Sequence, residues 1–290
     1  MIRLRMMVLL ARLPEHLPVE NGVDLYRVSY WTENLGHPEL ASGLYASPRG
    51  VAPRATVTWL NGTNPTRSEA PSSANLTGVL VSAAYAGSGF LLLAPDYIGL
   101  GVSQTYHPYL NATATANASV DFIRAARAVS SGLGVPWQSR MLLVGYSQGG
   151  FSTAVVQRAL EATPEPGVDV RAAAALAPPL NLSEVSVPFA FEGKSTADSL
   201  YLAYLANSYA LVYRQPLDTL LNDQFARRVP TLFDGTHSAD EITAQLPRNP
   251  RDMFRPEAVA AFANGQSSWF RQALHENEAF QWAPKAPLRL

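Results

Sequence analysis

The residues best suited to chemistry lie in the stretch LLVGYSQGG, from Leu142 to Gly150. It contains the pattern Gly-x-Ser-x-Gly as Gly145, Ser147 and Gly149. A serine on a sharp turn between a strand and a helix can attack an acyl carbon if a base removes its hydroxyl proton. Any side chain at the two glycines would collide with the neighbouring strand and helix. Ser147 is therefore the candidate nucleophile of an acyl transfer.

Acyl transfer through a serine also needs hydrogen-bond donors for the negative oxygen that forms in the transition state. One donor is expected to be the main-chain N–H of Gln148, the residue after the serine. The other is expected in the loop after the third strand, Trp59 to Asn64, where Gly62 would let the main chain approach a substrate. A plain Asn-Gly turn is the alternative interpretation of that loop.

These residues must be positioned by strands and helices, and the sequence predicts both. Six apolar or β-branched runs are expected to be strands: 23–31, 40–46, 55–60, 90–94, 141–144 and 170–177. Three stretches are expected to contain helices: 72–86, 122–133 and 149–163. Strands that alternate with helices predict an α/β fold with a mostly parallel sheet, right-handed crossovers and helices on both faces.

A change of pattern follows Pro178-Pro179. Residues 181–283 contain no convincing strand, but they contain aromatic-rich helical stretches such as Ser199 to Tyr213. We therefore predict an α/β core over 1–180, a helical lid inserted over 181–283, and the start of a returning core strand over 284–290. The tyrosines and leucines of the lid fit two interpretations, namely ordinary packing or an apolar wall for an acyl group.

Composition narrows the class of protein. The chain has 290 residues, of which 47% are hydrophobic and 16% charged, so it suits a large domain with a sizeable core and not a disordered chain. The 22 basic and 23 acidic residues leave no basic excess for a nucleic acid. There is no cysteine, which excludes disulfides, thiolate metal sites and cysteine nucleophiles. No pattern indicates a metal or a cofactor, and the oligomeric state is not readable.

Targeting signals are weak. The apolar stretch Met6 to Ala11 is shorter than the roughly 7–15 residues of a secretory signal, so no clear signal peptide is present. The uncharged run Ala70 to Pro95 is interrupted by glycines, so stable membrane insertion is not expected. Five Asn-x-Ser/Thr sequons leave glycosylation and turn chemistry open as alternatives: Asn61, Asn75, Asn111, Asn117 and Asn181.

On these motifs, the chain resembles the secretory-lipase, or lipase-A-like, family of α/β-hydrolases and its bacterial relatives. Besides the helical lid, three stretches carry the resemblance: Asn61 to Ser73, Ala94 to Leu110 and Gly145 to Gly150. It implies hydrolysis of carboxylic esters, with lipids or other small esters as substrates, and a secreted or extracytoplasmic protein. It also implies Ser147 as the nucleophile, with Gln148, Gly62 and Thr63 as the oxyanion hole.

Two departures from the family stand out. The family has His-Gly-Thr after the third strand, whereas this chain has Asn61-Gly62-Thr63, and we expect a modest effect because asparagine can still hydrogen-bond the loop. In the family, the catalytic Asp and then the His follow the serine along the chain. The Asp comes just after the strand that begins here as APLRL, and the His lies further on. We therefore expect a C-terminally truncated chain without the last strands and helix, inactive unless it is longer.

One local His/Asp grouping follows Ser147. His237 lies close to Asp234 and is the candidate base, with Asp234 as the candidate acid. An exposed turn with solvated charges is the interpretation we favour for this pair.

Three functions therefore remain open. The first is a serine esterase or lipase that works through an acyl-enzyme. The second is an inactive α/β-hydrolase-like binding protein that lacks the acid and base. The third is an acyltransferase or peptidase that uses the same serine.

Overall fold

A seven-stranded sheet forms the centre of the protein in a computed structural model that describes residues 19–290. The N-terminal stretch Met6 to Ala11 lies outside these residues. The strands are β1 (Val23–Asn34), β2 (His37–Pro48), β3 (Thr56–Leu60), β4 (Leu91–Pro95), β5 (Arg140–Tyr146), β6 (Asp169–Leu176) and β7 (Leu288–Arg289). All six predicted strands are confirmed, and the segment after Pro284 does return to the sheet.

The strand order is β1-β2-β4-β3-β5-β6-β7. β1 pairs with β2, and β2 with β4, in antiparallel fashion, whereas the remaining pairs are parallel. The mostly parallel sheet predicted from the sequence is therefore confirmed.

The sheet has a topological switch point at β3. The chain leaves β3 for β4 on one side and returns to β5 on the other. Open α/β sheets bind their ligands in the crevice at the carboxyl ends of such strands. Leu60 pairs with Gly145, and Tyr146 with Leu176, so the residues that follow β3, β5 and β6 meet at this point.

Helices cover both faces of the sheet. They are α1 (Leu76–Tyr85), α2 (Ala112–Leu133), α3 (Gln148–Ala162), α4 (Val187–Ala190), α5 (Asp198–Val212), α6 (Asp223–Leu232), α7 (Ala239–Thr243), α8 (Pro256–Ala263) and α9 (Trp269–Glu276). α1 packs on one face through Tyr85, beside Val57 and Leu92 of the sheet. α2 and α3 pack on the opposite face, through Phe122 and Val156 among others.

Local sequence sets the bounds of α2. The Asn111 side chain accepts a hydrogen bond from the N–H of Ala114 and caps the first turn. Phe122 and Ala126, which lie one turn apart on the same face of the helix, are fully buried. Gly134 ends the helix in a left-handed conformation with φ 67°, which glycine adopts without steric cost.

The segment over 181–283 contains the helices α4 to α9. A single isolated β-bridge, Leu221 with Phe254, is recorded within it. Its buried side chains form one apolar cluster that also includes Phe151 and Val155 of α3. The helical segment is therefore packed onto one side of α3.

None of the helices in the described part of the chain is long and apolar enough to span a bilayer.

Candidate active site

Ser147 sits on a sharp turn between β5 and α3. Its backbone has φ 57° and ψ −120°, which is uncommon for any residue with a side chain. The N–H of Ser147 donates to the carbonyl of Leu176, 2.9 Å away, so the neighbouring strand holds the turn in place. Such local strain is typical of functional sites.

Two glycines make this turn possible. A Cβ atom at Gly145 would lie 2.1 Å from the carbonyl oxygen of Gly149. A Cβ atom at Gly149 would lie 1.8 Å from the carbonyl oxygen of Leu60 in β3. Both contacts are with backbone, so neither can be relieved by moving a side chain. The collisions expected from the sequence are therefore present.

The loop after β3 lies beside the turn. A Cβ atom at Gly62 would come 3.4 Å from the carbonyl oxygen of Tyr146, so this loop runs close to the end of β5. Among residues 19–290, no acceptor is recorded for the N–H groups of Gly62 and Thr63. Gln148 is the first residue of α3, so its N–H has no acceptor inside the helix. Gln148 follows Ser147 directly, and Gly62 and Thr63 lie in a loop that runs beside the end of β5. Their role as an oxyanion hole stays a prediction.

A cavity of about 350 Å³ opens at Ser147. One wall comes from the loop after β6, at Pro178 and Pro179, and another from Tyr109 and Leu110 before α2. The helical segment supplies most of the remaining lining: Leu182, Val185, Ser186, Val187, Phe189, Ala190, Asp198, Tyr201, Leu202 and Leu205. The lining is largely apolar, as in ordinary small-molecule sites.

Asp198 is the one carboxylate that lines this cavity among the described residues. It is 5% exposed, and its Oδ2 accepts a hydrogen bond from the N–H of Ser195 at 2.8 Å. Sequence reasoning missed it, because an acidic residue at the start of a helix is normally a surface residue that favours the helix dipole. Over residues 19–290, no histidine lines the cavity.

The structure does bring His237 and Asp234 together, 3.1 Å apart between Nδ1 and Oδ1. The two side chains are 35% and 44% exposed, and neither lines the cavity. Partial burial raises the pKa of Asp234, but hydrogen bonds from Thr236 and His237 outweigh this and lower it. The turn is held against the loop after β3, because Thr66 Oγ1 donates to the carbonyl of His237 at 2.8 Å. This geometry fits the exposed turn, and the roles of base and acid stay predictions.

The tyrosines and leucines of α5 fall into two groups, those that line the cavity and those that pack inside the helical segment. Tyr201, Leu202 and Leu205 line the cavity. Tyr204 and Tyr209 do not, and they are buried in the apolar cluster between α5 and its neighbours. The spacing of apolar residues along the sequence could not separate the two groups, because α5 is apolar around most of its circumference.

His107 is buried away from the cavity. It is 5% exposed, with its ring stacked on Tyr97 and packed against Tyr204. Burial lowers the pKa of His107 to about 4. Its polar contacts are to Ile98 and Gln148, which makes it a neighbour of the turn at Ser147.

Asp96 has a structural role. It accepts hydrogen bonds from the main-chain N–H and hydroxyl of Ser72 and from the hydroxyl of Ser42. It therefore anchors the far end of the loop that follows β3.

In sequence, the profile of the secretory lipase family matches residues 69–234. This region includes Ser147 and the first half of the helical segment. No curated protein matches the chain in sequence.

Solved structures match over nearly the whole chain. A Legionella pneumophila protein is 29% identical, with a TM-score of 0.90 over 97% of this chain and 77% of its own. The rice cell wall degrading esterase LipA from Xanthomonas oryzae is 26% identical, with a TM-score of 0.87 over 96% of this chain and 77% of its own. Candida antarctica lipase A, at 13% identity and a TM-score of 0.66 over 96% of this chain and 70% of its own, shares the fold. These likenesses confirm the α/β-hydrolase fold.

Proposed function

The chain belongs to the secretory lipase family, and from this premise we propose that it hydrolyses carboxylic esters through an acyl-enzyme on Ser147. Family and fold support ester hydrolysis in general. The proposal goes further in assigning the nucleophile, the oxyanion hole and the acyl site to named residues. The family's name points to action outside the cytoplasm, and we propose that location for this protein.

One observation carries the proposal. Ser147 stands at the switch point of the sheet on a turn with φ 57°, and it opens into an apolar cavity of about 350 Å³. A hydroxyl at the edge of an apolar cavity can meet the carbonyl of an ester while the acyl chain is removed from water. We therefore assign Ser147 as a nucleophile elbow and the glycines Gly145 and Gly149 as the residues that allow it.

The reaction follows from this arrangement. The Ser147 Oγ attacks the carbonyl carbon, and its proton passes to a base while a tetrahedral intermediate forms. The negative oxygen accepts hydrogen bonds from the N–H of Gln148 and from Gly62 and Thr63. The positive end of the α3 dipole, at Gln148, stabilises the same charge. The alcohol then leaves with the proton, and water hydrolyses the acyl-enzyme to release the acid and free Ser147.

The helical segment over 181–283 acts as the lid in this proposal. Leu182, Val187 and Leu202 give the cavity apolar walls that suit the acyl chain of a small or lipid ester. Asp198 adds one buried polar side chain to these walls, held in place by the N–H of Ser195.

The alternative is an ester-binding protein without turnover. One observation favours it: over residues 19–290, no histidine lines the cavity with Ser147. A serine without a base is a weak nucleophile at neutral pH. Among the described residues, His237 is the candidate base to test, with Asp234 as its acid.

Labelling with a fluorophosphonate followed by intact mass separates these functions. One label per chain in the wild type and none in Ser147→Ala is the result that supports hydrolysis, because the probe reacts only with an activated serine. Ser131→Ala, at an exposed position on α2, is the matched control and should label as the wild type does. Hydrolysis of p-nitrophenyl butyrate should follow the same order.

A folded wild-type chain that neither labels nor hydrolyses the ester would reject the proposal in favour of binding. Labelling that is lost in His237→Ala would identify that histidine as the base. Labelling that persists in His237→Ala would exclude it.

A further inference from the structure

His107 and Gln148 form a buried polar pair directly behind the turn at Ser147. The Nδ1 atom of His107 lies 2.7 Å from the carbonyl oxygen of Ile98, and its Nε2 atom lies 2.8 Å from the side-chain nitrogen of Gln148. Gln148 is 1% exposed. The pair is therefore sealed from water and linked to two different main-chain segments.

The donors and acceptors of this pair follow from the carbonyl. The oxygen of Ile98 can only accept, so Nδ1 of His107 carries the proton. The ring is neutral at pH 7, because burial lowers its pKa to about 4. Its Nε2 atom must then accept, and the Gln148 amide donates to it through its NH₂ group. A single orientation of the Gln148 side chain satisfies this arrangement.

The Oε1 atom of the Gln148 amide shows that the contact with His107, and no other hydrogen bond in the described part of the chain, fixes this orientation. The Oε1 atom of Gln148 is buried and has no hydrogen-bond donor among the described residues. Turning the amide over would point this oxygen at the lone pair of His107 Nε2, which repels it. The contact with His107 therefore decides how the side chain of the first residue in α3 lies.

The other part of the candidate oxyanion hole, the loop at Thr63, is held by Tyr109, which lies two positions after His107 in the chain. The hydroxyl groups of Tyr109 and Thr63 lie 2.8 Å apart. The ring of Tyr109 is stacked on Tyr204 of α5, with 4.5 Å between the ring centroids. One short segment, residues 107–109, thus contacts both Gln148 and Thr63.

We propose that His107 and Tyr109 are positioning residues of the oxyanion hole. His107 fixes the side chain of Gln148, and Tyr109 fixes the loop at Thr63, so the N–H donors of both arms face one point. Neither residue exchanges a proton with the substrate. The proposal rests on the proposed function, because an oxyanion hole matters only if Ser147 carries out acyl transfer.

Kinetics of three aromatic variants test this. His107→Phe keeps an aromatic ring but removes the acceptor, and Tyr109→Phe removes only the hydroxyl group. Each should lower kcat for p-nitrophenyl butyrate about tenfold and leave KM within about twofold, because the lost alignment acts on the transition state. Tyr209→Phe is the matched control: it removes a buried hydroxyl that donates to the carbonyl of Leu110 at 3.0 Å, and kcat should not change.

A double-mutant cycle adds a readout that stability alone would not move. Gln148→Ala keeps the main-chain N–H but loses the amide. If His107 acts through that amide, the double variant should be no slower than either single variant. Unchanged kcat in folded His107→Phe and Tyr109→Phe, or fully additive losses in the cycle, would overturn the proposal.

The same contact can be followed without turnover. The main-chain amide resonance of Gln148 in a ¹⁵N–¹H NMR spectrum should shift in His107→Phe and stay in place in Tyr209→Phe. A wild type without any Ser147-dependent turnover would refute the proposed function, and the resonance would still report on positioning. A Gln148 resonance that His107→Phe leaves unmoved would refute the positioning role, whatever the turnover.

Discussion

At the scale of single residues, the turn at Ser147 depends on glycines, because the space that a Cβ atom would fill is taken by neighbouring main chain. Gly149 brings α3 so close to β3 that its α-hydrogen faces the carbonyl of Leu60. This close approach places the turn beside the loop after β3. The site is therefore built by backbone, and side chains serve to hold that backbone.

Gly149→Ala should unfold the site. Its Cβ atom would lie 1.8 Å from the carbonyl of Leu60, so we expect the free energy of unfolding to fall by about 4 kcal/mol or more, with labelling of Ser147 lost. Gly132→Ala is the matched control, because nothing lies within 4 Å of its Cβ position and it sits in α2. There we expect about 0.5–1 kcal/mol of stabilisation in urea denaturation. Equal effects at the two positions would contradict this account.

His107 should make the protein sensitive to acid. Its pKa is about 4 in the folded chain against an ordinary 6.5, so the unfolded chain binds the extra proton first. The free energy of unfolding is therefore unaffected by this group above pH 6.5. It falls by about 3 kcal/mol in total as the pH is lowered towards 4. The titratable groups packed on the ring are Tyr97, Tyr109 and Tyr204, which do not ionise in this range.

Urea denaturation between pH 7 and pH 4 measures this effect. The wild type should lose about 3 kcal/mol more than His107→Phe over that interval, because the variant has no ring to protonate. Parallel losses in the two proteins would mean that His107 is protonated in the folded state.

Single-residue roles were predictable from the sequence where a local pattern carries them. The sharp turn at Ser147 and the steric need for its two glycines follow from spacing and from the flanking strand and helix. The contact of His107 with Gln148 joins residues 41 positions apart, so no local pattern could reveal it. The contact of Asp96 with Ser42 is hidden for the same reason, because the two residues are 54 positions apart in the chain.

At the scale of elements, the cavity is formed by a short irregular wall and one long helix. A π-helical turn, Leu182–Ser186, runs into α4 and supplies Leu182, Val185 and Val187 to the lining. α5 supplies Tyr201, Leu202 and Leu205 from the other side. Helical content was predictable here from aromatic and leucine density, but the bounds were not, because prolines break the segment at intervals. The size of the cavity is thus set largely by side chains of the helical segment.

Leu202→Ala should enlarge this site. Leu202 is 1% exposed and lines the cavity, so we expect kcat/KM for p-nitrophenyl octanoate relative to acetate to rise about tenfold. Stability should fall by about 2–5 kcal/mol. Leu211→Ala removes the same atoms from the same helix at a position that is 44% exposed, and both quantities should change little. An unchanged substrate ratio in Leu202→Ala would place the acyl chain elsewhere.

At the scale of the whole molecule, the helical segment and the α/β core share buried surface. One cluster joins Phe151 and Val155 of α3 to Tyr209 and Phe270 of the helical segment. The opposite stripe of α3, with Val156 and Leu160, belongs to the core beneath the sheet. The change of pattern at Pro178-Pro179 therefore marks a change of architecture, and the two parts are expected to depend on each other for stability.

Unfolding should accordingly be a single transition. Trp59 in β3 and Trp269 in α9 can report on the two parts in variants that keep one tryptophan. We expect coincident midpoints in urea, and Phe151→Ala should lower both together by about 3–5 kcal/mol of stability. Loss of the Trp269 signal at a clearly lower urea concentration would show that the helical segment unfolds independently.

The loop after β3 also contains a site prone to deamidation with time. Asn61 is followed by Gly62, and an asparagine before glycine is the most prone to attack by the next main-chain nitrogen. The attack releases ammonia and forms a cyclic succinimide, which water then opens to aspartate or isoaspartate. Isoaspartate adds a carbon to the main chain between β3 and Thr63, where Tyr97 holds the loop by donating to the Asn61 carbonyl at 3.1 Å. Samples stored warm at alkaline pH should therefore age into a deamidated form whose fraction, read by peptide mass mapping, tracks the decline in Ser147 labelling.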